Sequence, residues 1–346
     1  MKQLMKALQI HRIGPLHDTL KPLEMVTVPR PEPAQGEVLV RVSVCAICHT
    51  ELDEIEGRTA PPTLPMIPGH QAVGVIAAHG AGVEAPAIGT RVGVAWIFHA
   101  CGTCRYCLQG EENLCSEFLA TGRDRPGGYA EYLTAPAAYV HPIPAELSDE
   151  QAAPLLCAGA IGMRSLNLAG LANGDVLGLT GFGGSNHLVL KAARHLYPDS
   201  PVMVWARNPA ERELALKLGA RWAGDTDEPP PLRPDAIIDT TPVYRTVLAA
   251  LGFLAPGGRL VINAIRKEQQ DRELLARLDY ETQLWMEKEI KTVANVTRKD
   301  VRDFLALAAR LCLRPETQVY SFGEANFALQ ELKGGRIHGT KVLRIS

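Results

Sequence analysis

The stretch DVLGLTGFGGSNHLVLKAARH, residues 175–195, decides the expected fold of the second half of the chain. Its first six residues suit a buried parallel strand, the glycine-rich residues 181–186 predict a tight turn, and the last nine predict a helix. A strand, a glycine turn and a helix in this order bring backbone N–H groups and a helix amino terminus to a pyrophosphate. The stretch therefore predicts a dinucleotide-binding unit.

The glycine pattern of this turn is incomplete. Gly181 and Gly183 fit the first two positions of the dinucleotide fingerprint, and Gly184 and Ser185 complete the turn, but Asn186 stands where a third glycine is expected. Since that third glycine serves the packing of helix against sheet, we expect Asn186 to widen the packing without abolishing nucleotide binding.

The pattern of predicted secondary structure changes near residue 153. Before it, short alternating segments separated by glycine and proline predict a partly closed, barrel-like β domain. After it, further strands are predicted at residues 202–206, 236–240 and 259–264, with helical stretches between them. Strands that alternate with helices indicate a parallel, doubly wound sheet, so the fold class is α/β with an additional β domain.

Cys48 and His70 form the first of two candidate metal sites. Residues 37–44 alternate as a half-buried strand does, so Cys48 lies just past a strand end, and a loop rich in glycine and proline leads on to His70. Cys157, in a helix predicted after a capping box at Ser148 and Gln151, is the third candidate ligand. A catalytic zinc ion commonly has three such ligands and an open fourth position. The alternative for Cys157 is a small buried core residue.

The second candidate site is a cluster of four cysteines with the spacing C-x2-C-x2-C-x7-C. Four thiolates at this spacing can close tetrahedrally around a structural ion: Cys101, Cys104, Cys107 and Cys115. A secreted disulfide framework is disfavoured because residues 1–6, MKQLMK, lack the apolar segment of a signal peptide. Eight cysteines in a long chain instead favour metal in a reducing compartment. An iron–sulfur cluster remains an alternative.

Composition narrows the possible partners. The 346 residues include 36 basic and 38 acidic side chains, which give a formal net charge of −2. This nearly neutral charge does not favour binding to nucleic acid or to an anionic membrane. No apolar run of membrane-spanning length is evident, so we expect a soluble, cytoplasmic protein. A zinc module that binds nucleic acid is disfavoured by the charge. A cofactor-binding protein without turnover remains open, and two bound zinc ions per chain would argue against it.

Together these motifs resemble the zinc-dependent medium-chain alcohol dehydrogenase family, along essentially the whole chain. The motifs that carry the resemblance are Cys48-His49-Thr50, Gly69-His70, the four-cysteine lobe, residues 127–131 (GGYAE), the Cys157 helix and the Gly181 turn. The resemblance implies a GroES-like catalytic domain of residues 1–152 and 296–346 and a Rossmann domain of residues 153–295.

The resemblance also implies chemistry. Hydride transfer to or from NAD(P) would interconvert alcohols with aldehydes or ketones. Family residues that match Cys48, His70 and Cys157 hold the catalytic zinc ion, and those that match Cys101, Cys104, Cys107 and Cys115 hold a structural one, so two zinc ions per chain are implied.

Five positions near the implied catalytic zinc bear on proton transfer, cofactor contact and the surroundings of the metal. The resemblance gives Thr50 the contact with the substrate oxygen and places His49 near the cofactor phosphates. Asp53 occupies a position that is often a relay histidine; it is either the next proton acceptor or a solvated loop residue. Gln71 replaces a common glutamate, and Glu51 is a candidate carboxylate behind the ligands.

The end of the strand at residues 202–206 bears on cofactor choice. An NAD-dependent enzyme usually carries Asp or Glu there, whereas a 2′-phosphate calls for Arg. Alignment with the family puts Ala206 at the acidic position, with Arg207 and Asn208 after it. We therefore favour NADP over NAD, against the alternative that Arg207 is an ordinary solvated charge.

Substrate and assembly rest mainly on the resemblance. Trp96, Ile97 and Leu119 are expected to wall an apolar slot, with Trp285 on its other side, although each can equally be a core residue. Primary alcohols and their aldehydes are the expected substrates. A polyol dehydrogenase is the alternative, but polyol enzymes of the family tend to replace Cys157 by a carboxylate. The family implies a homo-oligomer, tetramer or dimer, paired at the sheet edge near residues 259–264.

Overall fold

The computed structural model describes residues 3–16, 21–335 and 339–346. The chain divides into two compact units, the first comprising Met1–Cys157 with Val296–Ser346 and the second comprising Ala158–Asn295. The first boundary lies after Cys157 rather than after residue 152, and therefore Cys157 belongs to the first unit.

Seventeen strands occur in the described residues. In chain order they are β1 (Leu4–Ile10), β2 (Leu23–Pro29), β3 (Glu37–Ala46), β4 (Ala72–His79), β5 (Arg91–Val94), β6 (Ile97–His99), β7 (Leu119–Ala120), β8 (Tyr132–Pro136), β9 (Val140–Pro142), β10 (Leu177–Thr180), β11 (Val202–Trp205), β12 (Trp222–Gly224), β13 (Ala236–Asp239), β14 (Arg259–Ile262), β15 (Glu289–Thr292), β16 (Thr317–Ser321) and β17 (Thr340–Arg344).

Helices connect many of these strands. The α-helices of the described residues are α1 (His49–Ile55), α2 (Arg105–Leu108), α3 (Asp149–Pro154), α4 (Ala160–Ala169), α5 (Asn186–Leu196), α6 (Pro209–Lys217), α7 (Tyr244–Phe253), α8 (Arg298–Arg310) and α9 (Ala325–Lys333). Single π-helical turns span Leu155–Gly159 and Tyr280–Leu284. The 3₁₀ turns span Glu112–Leu114, Ala137–Tyr139, Arg272–Arg277 and Phe322–Glu324.

The first unit is built around β3. Its sheet has the order β16-β17-β3-β4-β5-β9, and β8 also pairs with β3. Val38, Val40 and Val42 are fully buried, as the predicted alternation requires; on the opposite face Arg41 is exposed, but Leu39 is buried as well. The β3 strand ends at Ala46, which brings Cys48 to the start of α1.

The second unit is a parallel sheet with the order β12-β11-β10-β13-β14-β15. All pairs in it are parallel. This is the strand order of a doubly wound dinucleotide fold, in which ligands bind at the carboxyl ends of the strands where the order reverses. All four residues of β10 are buried, as expected for a central parallel strand. The predicted α/β class, a β unit plus a doubly wound unit, is confirmed.

The prediction for the free edge of this sheet is wrong. Residues 259–264 were expected to form it, but β14 pairs with β13 on one side and β15 on the other. Because β14 is enclosed, its backbone groups are already used. The edge strand at this end of the sheet is β15, whose four residues are all exposed, and β12 is the edge strand at the other end.

One helical segment, Asp149–Ala169, has the length and hydropathy of a membrane span, although no such run was expected from the sequence. Of its apolar window, 67% is buried inside the protein. Core helices of soluble proteins share these properties, so the segment is weak evidence for a membrane.

Candidate functional site

Three predicted ligands meet in the first unit. Cys48 precedes α1, His70 precedes β4, and Cys157 lies in the π-helical turn after α3. Because β3 and β4 pair antiparallel, with Cys45 opposite Ala72, the residues that follow one strand and precede the other come together. The ligand atoms of Cys48, His70 and Cys157 all lie within 4.8 Å of one another.

Glu51 holds two of these ligands in place. Its Oε1 lies 2.6 Å from His70 Nδ1, and its Oε2 accepts a hydrogen bond from Cys48 N at 2.7 Å. His70 Nε2 is buried and has no hydrogen-bond partner among the residues the structure describes. A carboxylate behind the histidine and a free nitrogen in front of it are the usual arrangement around a metal ligand.

The contact between the two thiols of this cluster shifts their pKa values in opposite directions. A hydrogen bond from Cys157 holds the pKa of Cys48 well below its usual range, and the same contact raises the pKa of Cys157 well above it. Two sulfurs and an imidazole nitrogen within this distance suit a zinc ion with a fourth position open. The donor set therefore fits the metal that the sequence predicted.

Thr50 and Asp53 lie on α1 beside the cluster. Thr50 Oγ1 is 3.6 Å from Cys48 Sγ. Asp53 is only 2% exposed, so it is not a solvated loop residue. Its Oδ1 accepts a hydrogen bond from Arg58 Nε at 2.5 Å, a partner that the sequence analysis missed. Gln71, next to His70, is also buried.

The four-cysteine cluster has the geometry of a closed metal site. The ligand atoms of Cys101, Cys104, Cys107 and Cys115 all lie within 4.8 Å of one another. The Sγ–Sγ distances of 3.5 Å for Cys115–Cys101, 3.6 Å for Cys104–Cys107 and 3.9 Å for Cys101–Cys107 exceed an S–S bond of about 2 Å. All eight cysteines are free thiols, which removes the disulfide alternative.

Backbone groups prepare the four-cysteine cluster for an ion. Cys104 N donates to Cys101 Sγ at 3.3 Å, and Cys101 N donates to Cys115 Sγ at 3.4 Å. Hydrogen bonds from the Thr103 and Cys104 backbone lower the pKa of Cys101 to about 6, whereas desolvation raises the pKa of Cys107 to about 12. Thiolates are the metal-binding form, so an ion would displace the remaining protons.

The predicted pocket residues fall in both units. Trp96 stands edge-on to His70, with ring centroids 4.9 Å apart. Ile97 is fully buried in β6, which pairs with β7, where Leu119 is half-buried. Trp285 belongs to the second unit, where it is 55% exposed and packs against Tyr280. Trp96 is therefore the predicted pocket residue that directly contacts a ligand side chain.

The glycine turn of the second unit has open space at Gly183 and Gly184 and close neighbours at Gly181. Gly181 has φ +74°, and a Cβ there would lie 2.9 Å from Thr241 Cγ2, so this position requires glycine. A Cβ on Gly183 or Gly184 would meet no described atom within 4 Å. The chain itself thus leaves this space clear, as a closely bound pyrophosphate needs. The Ser185 hydroxyl donates to Ala158 O at 3.2 Å.

Asn186 does more than space the helix from the sheet, which is all that the sequence suggested. It is fully buried, and its Nδ2 donates to Gly181 O at 2.7 Å, Thr180 O at 3.1 Å and Thr240 Oγ1 at 3.2 Å. The amide therefore pins the turn to the ends of β10 and β13.

The end of β11 carries no carboxylate. Ala206 is buried and Arg207 is exposed, while Asn208 caps α6 by accepting a hydrogen bond from Ala210 N at 2.9 Å. Arg212, which the sequence analysis missed, donates to Ala206 O at 2.7 Å and to Arg207 O at 3.1 Å. Its position five residues after Arg207, early in a helix, was the available signal. His49 is exposed at the start of α1 in the first unit.

Comparison with known proteins agrees with these arrangements. The model of the alcohol dehydrogenase GroES-like domain matches residues 34–145. A probable alcohol dehydrogenase, AdhA, of Mycobacterium tuberculosis is 43% identical over 346 residues, which cover 99% of this chain and 97% of the relative. An alcohol dehydrogenase of Geobacillus stearothermophilus is 34% identical over 334 residues, covering 94% and 96%. The crystal structure of an NAD-dependent alcohol dehydrogenase superposes with a TM-score of 0.87 at 26% identity, covering 99% and 100%.

Proposed function

The chain belongs to the zinc-dependent medium-chain alcohol dehydrogenase family and catalyses alcohol–aldehyde oxidoreduction; for that reaction we propose the following site. Cys48, His70 and Cys157 hold a catalytic zinc ion. The four-cysteine cluster defined above holds a structural zinc ion, and the Gly181 turn binds NADP in preference to NAD.

The proposal is carried by the convergence of two thiols and a buried, partnerless imidazole nitrogen within 4.8 Å. When bound, zinc supplies Lewis-acid polarisation of the substrate oxygen, and the nicotinamide accepts or returns the hydride. Glu51 fixes the His70 ring through Nδ1, which leaves Nε2 directed toward the ligands. Trp96, edge-on to His70, covers one side of the site and keeps water from it.

We assign proton transfer to side chains of helix α1. The Thr50 hydroxyl, 3.6 Å from Cys48 Sγ, is placed to take the alcohol proton at Oγ1. Asp53 lies three residues along the same helix, on the same face, and is the next acceptor. Arg58 Nε, 2.5 Å from Asp53 Oδ1, holds that carboxylate in place on the helix.

Metal content tests the proposal directly. Elemental analysis of the purified chain should give two zinc ions, and Cys157→Ser should give one, with loss of turnover. Cys312→Ser, which changes an exposed thiol, is the matched control and should keep two. A wild-type chain with a single zinc ion that Cys157→Ser does not reduce would contradict the catalytic site.

Cofactor preference rests on charge. The end of β11 offers an exposed arginine and no carboxylate to the ribose, which favours a 2′-phosphate over a free hydroxyl. The related NAD-dependent structure shows that the same fold also serves NAD. Primary alcohols and their aldehydes, in a slot lined by Trp96, Ile97 and Leu119, are the proposed substrates. Cys157 in place of a carboxylate supports this choice over polyols.

The free edge of the second unit supports a homo-oligomer, a dimer or a tetramer. Beside the exposed strand β15 lies a groove of about 740 Å³ lined by Tyr280, Leu284, Trp285 and Met286, among others. Pairing of two β15 strands would use the free backbone groups and cover these apolar side chains. Eight unpaired thiols, which a reducing compartment preserves, support the proposal of a cytoplasmic location.

A further inference from the structure

A buried ion pair closes the carboxyl edge of the parallel sheet in the second unit. Asp239 is the last residue of β13 and is fully buried. Lys267 follows β14 by five residues, and its side chain is 10% exposed. Lys267 Nζ donates to Asp239 Oδ2, so two loops that leave neighbouring strands are joined by opposite charges.

Both members of this pair make further bonds to residues 241–243, and Asp239 also accepts a bond from Thr180 at the end of β10. Lys267 Nζ also donates to Thr241 O at 2.8 Å and to Val243 O at 3.3 Å. Asp239 Oδ1 accepts from Thr241 Oγ1 at 2.9 Å, Thr241 N at 3.3 Å and Thr180 Oγ1 at 2.5 Å. An ammonium group has three donors, and all three are used within residues 239–243. Lys267 therefore holds this segment in place, and its ammonium group has no N–H donor left for a ligand.

The segment that Lys267 holds in place, residues 239–243, supports the glycine turn at residues 181–186. Thr240 Oγ1 donates to Thr180 O at 3.1 Å, and Asn186 Nδ2 joins Thr240 to Gly181. A Cβ on Gly181 would lie 2.9 Å from Thr241 Cγ2 and 3.1 Å from Thr240 Oγ1. A shift of Thr240 and Thr241 would therefore change the support of the turn that faces the pyrophosphate.

We propose that Lys267 and Asp239 are positioning residues for the dinucleotide. They hold Thr240 and Thr241 against Gly181, so that the turn keeps the shape that admits a pyrophosphate. The inference rests on the proposed nucleotide site. A buried ion pair is a weak stabiliser in comparison with apolar side chains, so a role in placing the turn accounts for its presence better than stability alone.

Three variants separate positioning from stability. Lys267→Met leaves the buried Asp239 carboxylate without its cation and should lower both the stability of the protein and its nucleotide affinity. The double variant D239N/K267M removes the unpaired carboxylate, but the Thr241 and Val243 carbonyls still lack the hydrogen bonds from Lys267. Lys288→Met is the matched control: Lys288 Nζ also donates to two carbonyls of the same unit, Leu251 O at 2.7 Å and Thr282 O at 2.8 Å, and neither bond involves residues 181–186 or 239–243.

The measurements are dissociation constants for NADP and NAD by calorimetric titration, the melting temperature, and amide hydrogen exchange of residues 181–186 without nucleotide. We expect the double variant to recover much of the melting temperature lost in Lys267→Met. It should nevertheless bind both nucleotides about tenfold more weakly than the wild type and exchange faster at the turn. Lys288→Met should leave the dissociation constants and the exchange at the turn unchanged.

Two results would overturn the inference alone. One is wild-type affinity in the double variant once the melting temperature recovers; the other is unchanged exchange at residues 181–186 in both Lys267 variants. A wild-type chain that binds neither nucleotide would instead overturn the proposed function, and this inference with it.

Discussion

Glu51 Oε1 lies 2.6 Å from His70 Nδ1, in a site where neither side chain reaches solvent. This contact fixes which imidazole nitrogen is left for a metal. We expect Glu51→Gln to weaken zinc binding at the catalytic site by about 10- to 100-fold, the usual cost of losing a carboxylate behind a ligand. Zinc retained against increasing chelator concentration measures the change.

The same helix provides the control for that experiment. Glu54 is fully buried, its carboxylate oxygens have no hydrogen-bond partner in the described ranges, and burial raises its pKa well above the usual range. Because burial disfavours the charged form of this carboxyl, Glu54→Gln should change the charge near the site, and hence zinc affinity, less than Glu51→Gln does. Equal zinc loss in both variants would show that Glu51 has no special role.

The charge at the end of β11 predicts a change in cofactor preference. Arg207→Ala should raise the KM for NADPH about tenfold, equivalent to about 1.4 kcal/mol, and leave the KM for NADH nearly unchanged, because only NADPH carries the 2′-phosphate. Initial rates with both cofactors measure the ratio. Arg221→Ala, an exposed arginine that precedes β12, is the control. A parallel rise for both cofactors would argue against phosphate recognition.

His141 predicts an acid-dependent loss of stability. It lies in β9, and burial, reinforced by Arg302 and Arg298 against the opposing effect of Glu112, lowers its pKa to about 4. Its pKa in the unfolded chain is about 6.5, so the unfolded state binds more protons between these values, and stability falls as the pH falls through that window. Between pH 7 and pH 5 this group should cost about 2 kcal/mol.

Urea unfolding at pH 7 and pH 5 measures that cost as a difference between variants. His141→Gln should lose about 2 kcal/mol less than the wild type over this interval. Taking the difference cancels any acid effect on the metal sites, which both proteins share. His195→Gln, at an exposed position, should behave as the wild type. Identical pH dependence in the His141 variant would rule out a buried neutral imidazole.

The free edge of the parallel sheet predicts the assembly contact. Ile290, in β15, is 48% exposed, and a lysine there would place a charge inside a strand-to-strand pairing. Ile290→Lys should reduce the molar mass measured by light scattering to that of a smaller species. Val319→Lys changes a residue of similar exposure, 41%, in the edge strand β16 of the first unit and should leave the mass unchanged. Dissociation of both variants alike would point to a general effect of added charge.

Local patterns explain which features the sequence could predict. The four-cysteine spacing is readable because all four ligands lie within 15 residues, and the strand, turn and helix at residues 175–195 are readable because each follows from its own composition. The capping box at Ser148 and Gln151 formed as expected. These predictions depend on short stretches of chain, where sequence and geometry are closely linked.

Features that depend on distant partners were beyond prediction. Asp239 and Lys267 meet across two loops and 28 residues, and no periodicity marks the pair. The expected sheet edge at residues 259–264 was wrong because the sequence does not show that β15, with all four residues exposed, adds outside it. Cys157 lies in a π-helical turn that composition alone does not distinguish from an ordinary helix.

The interrupted first unit has a consequence for synthesis on the ribosome. The half of β3 that leads to Cys48 takes one of its partners from β17, where Val342 pairs with Ala46. Roughly 300 residues separate the two, which at translation rates of about 5–20 residues per second leaves this edge waiting for roughly 15–60 seconds. Throughout that interval β4 can already pair with this half of β3, and only the edge that β17 later covers, next to Cys48, stays unpaired. Chaperones and metal donors thus have their longest access to this site before the chain is complete.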